Sequence, residues 1–270
     1  MANPYDIYKI LDKSNCRRCL LPSCMAFAVA VVQGQKKLSD CPQLSKKALE
    51  RLGGAVEIRN SLENDQEQIL ADLKQKVASI NLLEAADRLG VPFFEGKVGI
   101  TCLGKEFWID SSGTMTSQCH TNHWVYLPLL QYVLSGKGTK PQGSWLNFGG
   151  LKGATQARAQ YFSHRCEEPL RQLADAHTEL FFELLHLFGA KKETGITKAD
   201  YCLVIEPLPN VLFMINYWPP EDDFSSQLTL LFDRTTPDNL DLDSLYLISR
   251  GLVEMFRELL VKHSKSGKLF

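Results

Sequence analysis

Four cysteines near the start of the chain, Cys16, Cys19, Cys24 and Cys41, carry the spacing C-x2-C-x4-C-x16-C-P. A thiolate is a soft ligand, and each iron of a [4Fe–4S] cube takes one sulfur from the protein. Four thiolates in so short a segment can hold one such cube. Cys16 and Cys19 are close enough for a single loop to ligate two irons. Structural zinc is the first alternative, but it usually pairs C-x2-C with a second C-x2-C or with H-x3-H. The C-x4-C step and the Cys-Pro ending fit the cluster better. A disulfide framework is the second alternative, and it requires a secreted, oxidising context.

The elements around the cysteines suit that chemistry. Pro22 resists helix before it, and Ser23 is a plausible N-cap, so a helix starts here. Cys24 then sits in its first turn, where the positive end of the helix dipole favours a thiolate and an anionic cluster. Met25 to Val32 are apolar almost all round, which predicts a helix buried beside the cluster, with Gly34 as its end. Pro42 removes a backbone donor and stiffens the loop after Cys41.

The run Cys-x2-Cys-x2-Pro-Ser-Cys-x2-Phe-Ala-x5-Gly-x6-Cys-Pro resembles the small [4Fe–4S] domain of the corrinoid iron–sulfur proteins of anaerobic one-carbon metabolism. Related domains occur in electron-transport complex subunits and corrinoid-activating proteins. The likeness covers roughly residues 3–53, and the four cysteines, Phe27, Gly34 and Pro42 fall on it. It departs at Arg17-Arg18, where relatives often carry Gly and an acidic residue; the ligands are untouched but the surround is more basic. The remainder, with Gly143-Ser-Trp-Leu-Asn-Phe and Leu230-Leu-Phe-Asp, resembles the uncharacterised DUF3786 domain. The first likeness implies a cluster, and a corrinoid as a second candidate cofactor; the second implies no assigned activity.

Composition bounds the rest. The chain has 270 residues, 44% of them hydrophobic and 23% charged, which is ordinary for a soluble globule. The net charge of −1 gives no global field for nucleic acid. The charge is uneven: residues 1–52 carry nine Lys or Arg and four acids, a balance of +5 that leaves −6 for the remainder. A basic shell favours the reduced, more negative state of a cluster and can steer an acidic partner. The alternative is a mixed, solvated surface. The N-terminus has neither the cationic lead nor the apolar core of a signal peptide, and the apolar run near residue 25 is too short to span a bilayer. A cytoplasmic protein of an anaerobe, with no membrane span, is expected.

Other chemistry is sparse. Cys119-His120-Thr121-Asn122-His123 precedes a helix, and His120 and His123 could ligate a metal or approach a bound corrinoid axially. The simpler reading is that Asn122 caps the helix and the histidines sit on a polar loop. His164-Arg165-Cys166 is a second polar group. Cys102 and Cys202 lie in apolar strands and read as packing thiols, and Glu221-Asp222-Asp223 as a solvated turn. The phosphate-binding, dinucleotide and hydrolase motifs are missing, so no catalytic residue is named.

Along the chain, Asn3-Pro4 opens a short helix, Tyr5 to Leu11, with Tyr5, Ile7, Tyr8 and Leu11 as its inner face. Ser45 to Leu52 is a helix ended by Gly53-Gly54, and the module closes near residue 58. Residues 61–78 read as amphipathic helix with Leu62, Ile69, Leu73 and Val77 inward; Asn81 caps another, Leu82 to Leu89, stopped by Gly90. Short strands follow at Phe93-Phe94, Val98–Cys102 and Glu106–Asp110, with a turn at Asp110-Ser-Ser-Gly113. A helix runs from Asn122 to Leu134, then a loop from Gly136 to Gly143 that reads as mobile. Residues 154–163 and 168–188 are helical. Tyr201–Ile205 and Val211–Tyr217 form a hairpin, Leu228–Phe232 is a third strand, and Asp241 or Asp243 caps a last helix to about Lys262.

The expected fold is α+β: a small helical iron–sulfur module, residues 1–58, and a larger domain, 59–270, of antiparallel sheet with packed helices. The expected function is transfer of single low-potential electrons to a partner or bound ligand. The partner would be a redox protein, acidic or corrinoid-containing. The alternative is a corrinoid or tetrapyrrole protein whose larger domain holds the cofactor and whose cluster reduces it.

Overall fold

The computed structural model describes residues 4–32, 36, 38–44, 57–119, 122–221 and 224–266. The chain divides into two units, Met1–Ala71 and Asp72–Phe270.

In the first unit, α1 (Pro4–Ile10) and α2 (Cys24–Val32) pack on each other, and a 3-10 turn follows at Leu38–Asp40. Ile7, Leu11, Phe27, Ala28 and Leu38 form the core, with Cys19, Cys24 and Cys41 partly buried against it. Tyr5 departs from the expected inner face and is 54% exposed. At about 100° per residue it lies about 160° round the helix from Ile7, so the two cannot share a face. Met25 is also exposed, so α2 is buried along one side only. The expected cap residue Asn3, the helix end Gly34, the helix Ser45–Leu52 and Gly53-Gly54 lie outside the described residues.

Helix α3 (Glu57–Ala78) carries the division between the units. Leu73 and Val77 are buried as their spacing demands, but Ile69 is 49% exposed.

In the second unit, α4 (Leu82–Leu89) forms as the residues dictate: the Asn81 side chain accepts from the N–H groups of Leu83 and Glu84, and Gly90 ends it in the left-handed region. Strands β1 (Phe93–Phe94), β2 (Lys97–Cys102), β3 (Lys105–Ile109) and β4 (Met115–Thr116) make an antiparallel meander. Asp110 Oδ1 holds the last turn by accepting from the N–H groups of Ser112 and Thr114. Helix α5 (His123–Ser135) follows, its Asn122 cap accepting from Trp124 N–H.

A second antiparallel sheet has the order β5-β9-β8-β7-β6, built from β5 (Trp145–Asn147), β6 (Lys191–Lys192), β7 (Tyr201–Leu208), β8 (Val211–Trp218) and β9 (Gln227–Asp233). The domain therefore has two sheets rather than one. The glycine-punctuated strands after Gly90 form an open sheet of their own, and Leu103 N–H donates to Pro207 C=O at 3.1 Å between the sheets. Strand β8 is central and buried along most of its length, which is the pattern of a strand covered on both faces.

The helical stretch 154–188 is continuous where two helices were expected, then breaks where none was. Helix α6 (Gln156–Phe162) runs through a π-helical turn, Ser163–Glu167, into α7 (Glu168–Ala176). Pro169 has no N–H to donate to Arg165 C=O, four residues earlier, so the regular ladder cannot pass. Arg250 donates to that carbonyl instead, at 3.0 Å. At His177 the backbone leaves the helical region, and α8 (Thr178–Leu187) starts afresh.

The loop Gly136–Gly143 is anchored, not free. Thr139 N–H donates to Asn239 Oδ1, and the N–H groups of Gln142, Gly143 and Ser144 all donate to Asp233 Oδ2. Gly138 is left-handed, and a Cβ there would meet Arg88 O at 2.1 Å.

After a short α9 (Thr236–Asn239), the last helix α10 (Leu242–Ser266) is capped by Asp241, which accepts from the N–H groups of Asp243 and Ser244. It packs on α5 so closely that a Cβ on Gly251 would lie 2.7 Å from Trp124 Cβ. Gly251→Ala is expected to destabilise the domain by about 1–3 kcal/mol, because overpacking outweighs the better helix propensity. A urea midpoint that rises with this variant would show that the helices do not approach so closely.

Candidate metal centre

The four cysteines come together. Ser23 caps α2: its hydroxyl accepts from Ala26 N–H at 3.1 Å and its carbonyl from Phe27 N–H at 3.0 Å. That places Cys24 as the first helical residue, at the positive end of the dipole. Leu20 N–H donates to Arg17 C=O at 2.9 Å, closing a turn that contains Cys19. Cys41 follows the 3-10 turn, its N–H donating to Leu38 C=O at 3.2 Å. Cys16, Cys19, Cys24 and Cys41, all half-buried, line one pocket with Asn15, Arg17, Ser23, Phe27 and Pro42.

The backbone of this loop is unusual. Among the described residues seven other than glycine have positive φ, and four of them are Lys13, Asn15, Arg17 and Leu20. The other three, Glu95, Leu103 and Asn210, sit in hairpin turns between paired strands. Left-handed residues interspersed among ordinary ones turn successive N–H groups toward one concave side, the nest geometry of anion and iron–sulfur sites. Such conformations persist only where the surroundings impose them. One imposed contact is visible: Cys24 N–H donates to Asn15 Oδ1 at 2.8 Å, and Asn15 N–H approaches Cys24 Sγ at 3.4 Å. The Cys16 thiol is held below its ordinary value, first by the Arg18 backbone N–H and then by the Ser14 hydroxyl and the Arg18 charge.

These residues fit an iron–sulfur cluster. Four thiols share one pocket beside a loop rich in left-handed residues, and the helix dipole adds to the field that favours an anion. A single tetrahedral zinc would draw its four sulfurs to about 3.8 Å of each other, from a Zn–S length of about 2.3 Å. Among the described residues no three His, Cys, Asp or Glu are grouped as a bound metal ion would hold them, which bears on zinc and on a cluster alike. Asn15 escaped the sequence reading. Its signal was available: Asn tolerates the left-handed region and offers a carbonyl acceptor, and it directly precedes Cys16.

Two family models match the chain. One, described as "Putative Fe-S cluster", covers residues 11–43, and so includes all four cysteines. The other, described as "Domain of unknown function (DUF3786)", covers residues 81–255, well over half the chain. The chain belongs to the DUF3786 family. It is similar to the acetyl-CoA decarbonylase/synthase complex subunit gamma of Methanothermobacter thermautotrophicus, 45% identical over 47 residues, which is 17% of this chain and 10% of that protein. It is similar to the corrinoid/iron-sulfur protein large subunit of Moorella thermoacetica, 44% identical over 51 residues, 19% of this chain and 11% of that protein. The subunit gamma 1 of Methanosarcina thermophila is 33% identical over 94 residues, 34% of this chain and 19% of that protein. The chain thus spans between a tenth and a fifth of the length of these curated relatives. No solved structure matches it.

The DUF3786 domain carries the remaining candidates. His123 is the first residue of α5, half-buried, its ring 4.1 Å from that of Trp124. Burial lowers its pKa, which favours the neutral imidazole. His120, Asp222 and Asp223 lie outside the described residues. Cys102, Cys166 and Cys202 are buried, and burial pushes the thiols of Cys102 and Cys166 up to about 12, so they are inert packing groups. The domain also has a cavity of about 380 Å³ lined by Phe148, Ala157, Arg158, Tyr161, Asp243 and Tyr246. There Arg158 pairs with Asp243, and burial pushes the Tyr246 phenol up to about 12, so it stays a neutral donor. Among the described residues no helix is long and apolar enough to cross a membrane.

Proposed function

We propose that Cys16, Cys19, Cys24 and Cys41 ligate one [4Fe–4S] cluster, and that the protein carries single low-potential electrons to a protein partner in anaerobic metabolism. The observation that carries this reading is the convergence of the four thiols on one pocket, inside the segment matched by the iron–sulfur family model. The cluster, when bound, accepts and releases one electron without a bond being made or broken.

The chain's own residues set the conditions. Asn15 ties the Cys16 loop to Cys24, so little rearrangement accompanies a change of charge. Arg17 and Arg18 hold positive charge between two ligands and favour the more negative, reduced state. The module, residues 1–58, is the carrier. The domain from residue 59 onward, with its DUF3786 fold, docks the protein or ligand that receives the electron. The cytoplasm, where thiols stay reduced, is the compartment.

A second reading rests on His123 and on the printed name of the Moorella relative. A half-buried neutral imidazole presents a lone pair, so a corrinoid held by the DUF3786 domain, near His120 and His123, would be reduced by the cluster.

Anaerobic purification with iron, sulfide and cobalt analysis, and a visible spectrum before and after dithionite, decides between them. About four iron and four sulfide per chain, with a broad absorption that bleaches, is the expected result. Cobalt and sharp bands would give the second reading. Zinc without sulfide would exclude both.

A further inference from the structure

Position 20 carries two costs that the fold does not recover. Leu20 has φ 65°, a conformation that favours Gly or Asn and is uncommon for a branched, bulky side chain. The turn over Cys19 explains the backbone, since Leu20 N–H closes it, but not the choice of leucine. The side chain is 87% exposed, the largest exposure among the described large hydrophobic residues. It buries little within the chain. It directly follows Cys19, one of the proposed ligands, and lies outside the pocket that the four thiols line.

Its surroundings complete a surface. Pro22 and Met25 are exposed on the same short segment, on either side of the Ser23 cap. Arg17 and Arg18 are exposed on the other side of Cys19. No ion pair among the described residues engages either guanidinium. From residue 13 to residue 39 the sequence contains no Asp or Glu, while it contains Lys13, Arg17, Arg18, Lys36 and Lys37. Asp12 lines the thiol pocket together with Arg17, so the rim is cationic in balance rather than throughout. An apolar residue next to a proposed ligand, with a mainly cationic rim, is the anatomy of a transient interface for an anionic protein: the apolar residue desolvates and sets contact, and the charges set the encounter rate and orientation.

We infer that the face formed by Arg17, Arg18, Leu20, Pro22 and Met25 is the docking surface for an acidic one-electron carrier protein. The inference rests on the proposed cluster and names where its electron enters. In the complex the reduced centre of the partner loses one electron and the cluster gains it; no proton moves and no bond forms or breaks. Because this interface is small and rimmed by charge, it exchanges partners quickly and weakens with salt.

The test uses the full chain, loaded anaerobically, and an acidic ferredoxin as the probe. Its binding is read by isothermal titration, which needs no electron transfer, and its electron exchange by stopped flow. Leu20→Asn suits the left-handed backbone, so the variant keeps its iron and a melting temperature at least equal to the parent's. It is expected to bind the ferredoxin about tenfold more weakly and to slow exchange by a similar factor. R17E/R18E is expected to lower the association rate more than tenfold at low salt and much less at high salt, where the screening length falls from about 30 Å at 0.01 M to about 3 Å at 1 M. Parent protein that does not bind the ferredoxin, or L20N that binds it as the parent does, overturns the surface. Iron and sulfide analysis of the same samples reports separately on the cluster, so a failure of ligation is distinguishable from a failure of docking.

Discussion

Cys41→Ala protein, prepared anaerobically, is expected to hold about three iron per chain or none, against about four for the parent. The argument starts from position. Cys16, Cys19 and Cys24 lie on one loop and one helix start, while Cys41 arrives from the 3-10 turn. Removing it leaves one iron of the cube without a protein ligand and opens the pocket on the Pro42 side. Cys19→Ala should do the same from within the turn closed by Leu20 and Arg17. Full iron and sulfide in either variant would sink the ligand assignment.

The same variants should report on stability. Among the described residues the buried core around these cysteines consists of Ile7 on α1, Leu11 just after it, Phe27 and Ala28 on α2, and Leu38 on the 3-10 turn. A core that small does not hold a segment of this size unaided, and natural proteins staple such segments with disulfides or metal. Cys19, Cys24 and Cys41 all pack partly against that core, so a cluster ligated by them would join its pieces. Loss of the cluster is expected to make residues before α3 sensitive to protease while the DUF3786 domain keeps its own cooperative unfolding transition. Equal protease resistance with and without iron would show that the cluster is dispensable for folding.

What the sequence disclosed follows from how local each signal is. The cap at Asn81, the left-handed stop at Gly90, the Ser23 cap and the cap at Asp241 act over two or three residues, and each was legible from the residues themselves. So was the cysteine spacing. The π-helical turn was legible in principle, since Pro169 forbids one rung, but the acceptor's rescue by Arg250 comes from 85 residues away. The break at His177 has no proline or glycine to announce it. The loop from Gly136 to Gly143 looked free because glycine, lysine and proline dominate it, and its anchors, Asp233 and Asn239, lie about a hundred residues further on. The left-handed run at Asn15, Arg17 and Leu20 had only Asn15 as a clue, because neither Arg nor Leu favours that conformation.

Asp233 is where the second large effect is expected. It ends β9, fully buried, and both carboxylate oxygens are in use. Oδ2 accepts from Gln142 N–H at 3.0 Å, Gly143 N–H at 2.7 Å and Ser144 N–H at 3.2 Å. Oδ1 accepts from Thr235 N–H at 3.0 Å and from the Thr235 hydroxyl at 2.7 Å. Burial alone would raise this carboxyl. The hydrogen bonds from the Thr235 hydroxyl, the Thr235 N–H and the N–H groups of Gln142 and Gly143 together outweigh it and hold the carboxyl below its ordinary value. Asp233→Ala leaves these donors facing apolar space, at about 1–3 kcal/mol for each that stays buried, so a loss of about 4 kcal/mol or more is expected. Asp233→Asn is nearly the same shape but turns an NH2 donor toward one of the two donor sets, so it should cost less than alanine and more than about 2 kcal/mol. A folded-state carboxyl below its ordinary value contributes stability that is fully present above the unfolded value of about 3.9, and that stability is lost as the pH falls through the depressed folded value. The parent's urea midpoint should therefore decline on the acid side of about pH 4 more steeply than that of D233N, in which this group no longer titrates. Parallel acid limbs for the two proteins would mean that the carboxylate does not clamp the loop that leads from α5 into β5, and that the loop is free after all.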